Sequence, residues 1–327
     1  MNSNSVTALS HADRTGGRAA AQVLTATEEF LATLDDSQKT SVQGERTAAN
    51  LAHWHNFPDG LFERAGLRMD TLDAEQQDAV LKILAAALSD EGYAQVNQIT
   101  YGDGVYAEQA ELPYDYGADH YWIRILGEPS ETGQWTIQYG GHHLAVNVTM
   151  TAGKMTLGPT HWGAQPAFYD KDGQEVEPMK GETGKAFAVA QSLTDVQFDT
   201  AELDTPVEEM ILGPGQDGKT LEPEGLKASA MSAKQQKLLL DLVDEWLTTL
   251  NDEQARTKLI DARKNLKDTY FAWSGSTESD ALIYYRVQSP SYTIEFAHAK
   301  AGPGTTRGTD HIHSMYRENG NDYGAED

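Results

Sequence analysis

Apolar positions change their rhythm twice along this chain. From about residue 20 to 92, and again from 185 to 265, they recur every three or four residues, as on one face of a helix. The stretch after Asp73 sets Val80, Leu81, Ile83, Leu84 and Leu88 in that rhythm and is expected to stop near Gly92. The stretch after Ser232 sets Leu239, Leu242, Val243, Trp246 and Leu250 on a broad stripe. Between and beyond these blocks, short runs rich in aromatic and β-branched residues predict strands at 120–129, 134–150, 154–159 and twice within 280–299, turning at Ser289-Pro290-Ser291. Helices and strands in blocks, not in strict alternation, predict an α+β fold: a mostly antiparallel sheet flanked by helical blocks. Strands flank the second helical block on both sides, so residues 19–327 are expected to form a single α+β domain. Residues 1–18, small and polar, are expected to be a disordered tail.

One local signal recurs five times: an apolar residue, a capping residue, two variable positions, then Gln. It begins at Leu34-Asp35, Leu72-Asp73, Leu193-Thr194, Met231-Ser232 and Leu250-Asn251. The spacing is that of a capping box, in which the cap accepts from a backbone N–H and the Gln reaches back. Five helices are therefore expected to start there. The irregular spacing argues against a tandem repeat.

Charge and composition narrow the partners. The chain of 327 residues has 25 basic and 50 acidic side chains, a net charge of -25, and no cysteine. Such a surface repels nucleic acid and anionic membranes, and thiolate metal sites and disulfides are excluded. The N-terminus lacks the unbroken apolar core of a signal peptide, and no apolar run reaches about eighteen residues. The expected location is therefore cytoplasmic. The glycine-rich loop 213–220 follows no expected strand, so neither a phosphate loop nor a dinucleotide fingerprint is read there, and no nucleophile elbow or H-E-x-x-H helix is present.

What remains is histidine. His142-His143 follows two glycines at the start of an expected strand, and His311-Ile312-His313 forms an H-x-H pair. On a strand, residues two apart share a face about 7 Å apart at their backbones, which suits one metal ion. Glu318, five positions after His313, gives a spacing similar to that of cupin metal motifs. Neighbours on a strand face opposite ways. His142 falls in line with Leu144, Val146, Val148 and Met150, and His143 with Ala145, Asn147 and Thr149, so His143 is the expected ligand and His142 a buried support. A bulge at Gly140-Gly141 would exchange these faces. In 291–296, Glu295 shares a face with Thr293, opposite Tyr292, Ile294 and Phe296. His161 lies within reach of the cluster, and His53 and His55 flank a Trp54 that packs a loop. The plain alternatives are core histidines and, for Arg286 and Arg317, salt bridges.

Three functions fit. The first is a metal-dependent enzyme, using iron, copper or zinc for oxygen chemistry or hydrolysis on a small molecule or peptide. Its metal candidates are His143, His311, His313, His142, Glu318 and His161. The second is a non-catalytic metal-binding or sensing protein. The third is a metal-free pocket in which Glu295, Arg286 and Arg317 bind a carboxylate or move protons.

The segments 60–93, 123–149, 284–299 and 310–324 resemble the bacterial proteins catalogued as domain of unknown function 3500. The likeness runs from about residue 25 onward, and the G-H-H and H-I-H segments are its most specific parts. The resemblance implies that these histidines are a shared feature and implies no reaction.

Overall fold

Capping chemistry starts the helices where the chain pattern places them. The computed structural model describes residues 19–109, 114–278, 281–299 and 308–325; the expected tail at 1–18 lies outside them. The first half runs α1 (Ala19–Thr33), α2 (Asp36–Val42), β1 (Gln43–Gly44), α3 (Ala48–Leu51), β2 (Leu67–Arg68), α4 (Ala74–Ala87) and α5 (Asp90–Gln109). It continues with β3 (Trp122–Leu126), β4 (Gln134–Gly141), β5 (Leu144–Thr151), β6 (Lys154–Thr156) and β7 (Thr160–Ala164). A small hairpin, β8 (Tyr169–Lys171) and β9 (Gln174–Val176), precedes α6 (Lys180–Gln191), α7 (Asp195–Ala201), β10 (Leu226–Lys227), α8 (Ala233–Leu247) and α9 (Asp252–Asn265). Last come β11 (Tyr270–Ser274), β12 (Tyr284–Gln288), β13 (Tyr292–His298) and β14 (Ile312–Glu318).

Asp35, Asp73, Thr194 and Ser232 each form a complete capping box with the Gln three positions on. Asn251 caps α9 through the Glu253 N–H instead. Its Gln254 turns outward, accepting from the Met155 N–H at 3.2 Å.

These boxes also reveal an internal duplication, against the sequence expectation. Gln38 and Gln76 bond each other 38 residues apart, as Gln197 and Gln235 do. Gln76 donates to the Thr33 carbonyl and Gln235 to that of Ser192, 43 residues back in both cases. Gln77 ties Met69 and Leu72 as Gln236 ties Ala228 and Met231. α1 packs on α4 as α6 packs on α8.

Among the described residues, twelve strands form one sheet in the order β1-β3-β4-β5-β7-β14-β13-β12-β11-β10, with β2 on β3 and β6 on β5. All pairings are antiparallel except β1 with β3. The two halves meet where β7 pairs β14. The fold is α+β, as the chain pattern predicts.

Two expectations need correction. α4 does end near residue 88, but a second helix, α5, follows at once and contains Gly92. A Cβ at Gly92 would lie 2.4 Å from the Thr249 carbonyl oxygen, so glycine lets the helix approach that backbone. β7 and β11 are strands that the pattern missed, since five-residue runs such as Thr160–Ala164, interrupted by glycine, carry little periodic signal.

The sheet's faces differ in kind. Ile137, Val146, Trp162, Tyr285, Ile294 and Phe296 join Ile83, Leu239 and Trp246 in the main core under the helices. The register puts Gln138, Asn147, His161, Met315, Glu295 and Arg286 together on the other side. Two loops, 45–66 and 202–225, fasten to that polar face. Gln138 donates to the Leu51 carbonyl, and the carboxylate of Glu295 accepts the N–H groups of Ile211 and Leu212. The loops meet at Trp54 and Met210, which pack with Ala145 and Met315.

Candidate metal centre

The paired histidines are a turn, not the start of a strand. Gly141 pairs with Leu144, so His142 and His143 are the two corner residues of the β4–β5 hairpin, and His143 takes a left-handed φ of 59°. The strand-face argument therefore does not apply to them: in the turn the two imidazoles lie against each other, ring centroids 3.7 Å apart, and differ in the partners they reach. His142 is buried, and its Nδ1 lies 2.5 Å from Asp103 Oδ1 on α5. Tyr121 donates its hydroxyl to the His142 carbonyl at 2.9 Å. His143 points to the edge where β14 begins, and its backbone N–H donates to the Asn56 carbonyl of the first loop.

There three imidazoles converge. His143 Nε2 lies 2.7 Å from His311 Nε2 and 3.1 Å from His313 Nε2, and the latter two are 3.1 Å apart. An imidazole nitrogen offers one in-plane site, so three mutual contacts cannot all be hydrogen bonds. Nitrogens about 2.1 Å from one ion and at right angles lie about 3.0 Å apart, against about 3.4 Å for tetrahedral angles. The observed triangle fits three neighbouring corners of an octahedron. Cation-ready lone pairs follow from the surroundings. Glu209, from the second loop, lies 2.8 Å from His313 Nδ1, which favours the proton there and leaves Nε2 free. Burial, followed by the charge of neighbouring imidazoles, holds His143 well below its ordinary pKa, so it is neutral. For Glu209, burial pushes the pKa up, but the bond to His313 and its charge outweigh that and hold it down.

His161 lies beneath the triangle on β7, fully buried, with neither ring nitrogen in a formed hydrogen bond. Its ring centroid is 5.4 Å from that of His313, outside the set of three nitrogens. Gly163 makes room here: a Cβ would crowd His161 Nε2 at 3.3 Å and His143 at 3.4 Å.

The remaining candidates stand elsewhere. Glu318, at the far end of β14, pairs with Lys258 Nζ at 2.5 Å and accepts the Leu157 N–H, so the cupin-like spacing brings no carboxylate to the histidines. Glu295 is spent on the second loop and on the Tyr284 hydroxyl at 2.6 Å. Arg286 binds Glu224, and Arg317 binds Asp217, Asp322 and the Leu212 carbonyl. These three residues fasten the loop that delivers Glu209; none touches the triad. The carboxylate at the histidines is not the expected Glu318 but Glu209, with the Asn56 amide 3.3 Å from His313 Nε2. Neither residue, nor Asp103, stands in a motif of its own, so no sequence signal marks them.

No helix among the described residues is long and apolar enough to cross a membrane. No curated protein and no solved structure matches the chain. The G-H-H turn and the H-I-H strand that build this triangle lie within one family match spanning residues 16–325, and the chain therefore belongs to the family described as protein of unknown function, DUF3500.

Proposed function

We propose that this chain is a metal-dependent enzyme whose ion, a divalent iron, copper or zinc, is held by His143, His311 and His313. The observation that carries this reading is the triangle of Nε2 atoms at 2.7–3.1 Å. Three ligands on one side of an ion leave the opposite positions open for a small-molecule or peptide substrate, and the ion supplies Lewis acidity there for hydrolysis or oxygen chemistry. Glu209 orients His313, and the Asn56 amide is placed to donate to an oxygen bound beside it. A metal-free carboxylate pocket has less support, because Arg286 and Arg317 are already paired with carboxylates.

Metal analysis of protein purified without a nickel column tests the reading. About one such ion per chain is expected, and its absence from His311→Ala and His313→Ala proteins that keep their circular dichroism. A metal-free wild type that also fails to take up added zinc or iron would overturn it. A bound ion that accepts no external ligand would point to a store instead of an enzyme.

A further inference from the structure

The loop that brings Asn56 to the triangle carries aromatic side chains that face water. Phe57 is 46% exposed and Leu61 47% exposed. Phe57 directly follows the residue whose amide touches His313, and its ring lies on the His55 imidazole at 3.8 Å and 27°. Phe62 flanks the same imidazole at 5.5 Å. This is not a frayed tip. Arg64 is turned inward, its guanidinium 5.2 Å from the Trp122 ring. Its Nη2 donates to the carbonyls of His55, Phe57 and Gly141, which ties the aromatic platform to the hairpin that presents His143. Exposed, immobilised apolar surface is a cost unless something covers it. The neighbouring cation Arg68 is held by Asp59 and Asp70, and the carboxylate of Glu209 stands at His313. Behind the rings, Arg64 finds only carbonyl acceptors and its Nη1 has none, so this mouth offers apolar contact in front of a buried cation.

We propose that Phe57, backed by His55, is the docking platform for a flat apolar group of a substrate whose polar end reaches the three-imidazole centre. This rests on the metal-centre reading and narrows it: the substrate class is a molecule with an aromatic or comparably planar portion. Stacking on a fixed ring supplies the preference. His55 is kept neutral by burial first, then by Arg64, with its pKa lowered to about 4, so the ring behind Phe57 is an uncharged stacking partner at neutral pH.

Two hydroxamic acids test this on the full, metal-loaded chain. Acetohydroxamic and benzohydroxamic acid present the same chelating head, and only the second carries a ring. Benzohydroxamic acid is expected to bind about ten-fold tighter. Phe57→Ala should abolish that preference and leave acetohydroxamic acid binding within about two-fold, since the side chain is half exposed and its loss leaves the fold intact. Equal affinities of the wild type for the two acids would overturn the platform while leaving the metal centre standing. Binding of neither acid to a protein that holds its ion would remove the open position, and the platform with it.

Discussion

The hairpin turns His142-His143 and Pro290-Ser291 occupy matching places in the two halves, yet the imidazoles gather at the first. Gly141 pairs with Leu144 at one, and the Ser289 N–H donates to the Tyr292 carbonyl at the other. Each lies beside a loop fastened to the polar face of the sheet. The first turn meets His311 and His313. The second borders a cavity of about 620 Å³, lined by Leu212, Ser289, Pro290, Thr293 and Arg317. Strand β14 serves both ends, offering His313 where it begins and Arg317 and Glu318 where it finishes. The capping ties are thus duplicated, whereas among the described residues the imidazole triangle stands at one end alone. A symmetric scaffold can carry a one-sided candidate site through few residues, because three nitrogens brought to one point suffice to offer it.

The sharpest way to break this comparison is at the triangle. His313→Ala should weaken metal binding more than about a thousand-fold in a calorimetric titration, since two imidazoles leave the ion half held. Ser291→Ala, at the matching turn, should leave it unchanged. An equal loss in both would mean that the second half shares the site.

Next comes a mismatch in the helical layer. By the register of the capping boxes, buried Val23 and Phe30 of α1 correspond to Glu182 and Val189 of α6. Burial pushes the Glu182 pKa up to about 7, so the folded state keeps its proton where the unfolded chain releases it. Stability is then full below about pH 4.5 and is lost as pH rises toward 7, a loss of up to about 3 kcal/mol. Glu182→Gln should raise the melting temperature at pH 8 and change little at pH 4.5. A uniform shift at both values would refute the assignment.

A smaller effect tests the symmetry directly. Gln76→Ala and Gln235→Ala each remove a capping return and two cross-ties, about 2 kcal/mol apiece by urea unfolding. Costs differing by more than about 1 kcal/mol would show that the halves are not equivalent. The mildest expected change is at Glu209→Ala, about ten-fold in metal affinity, because it orients His313 without touching the ion. No change there would leave Glu209 an incidental neighbour.

Local chemistry was readable in the chain because its causes are local. A cap and its Gln lie three residues apart, and apolar periodicity reports which side of an element is buried, so the helix starts and the α+β class follow from short stretches. The H-x-H of β14 likewise puts two imidazoles on one face by strand geometry alone. The rest depended on distance. His143 joins them only because β5 pairs β7 and β7 pairs β14, and because the turn holds it at positive φ. The sequence alone determined where five helices begin and that the candidate chemistry is imidazole. Tertiary structure decided that the capping boxes are two copies of one unit, that Glu295, Arg286 and Arg317 anchor a loop, and that Glu209 and Asn56 stand at the histidines. Those outcomes rest on contacts between residues far apart in the chain, and no short-range pattern of apolar and polar positions encodes where two distant loops will meet.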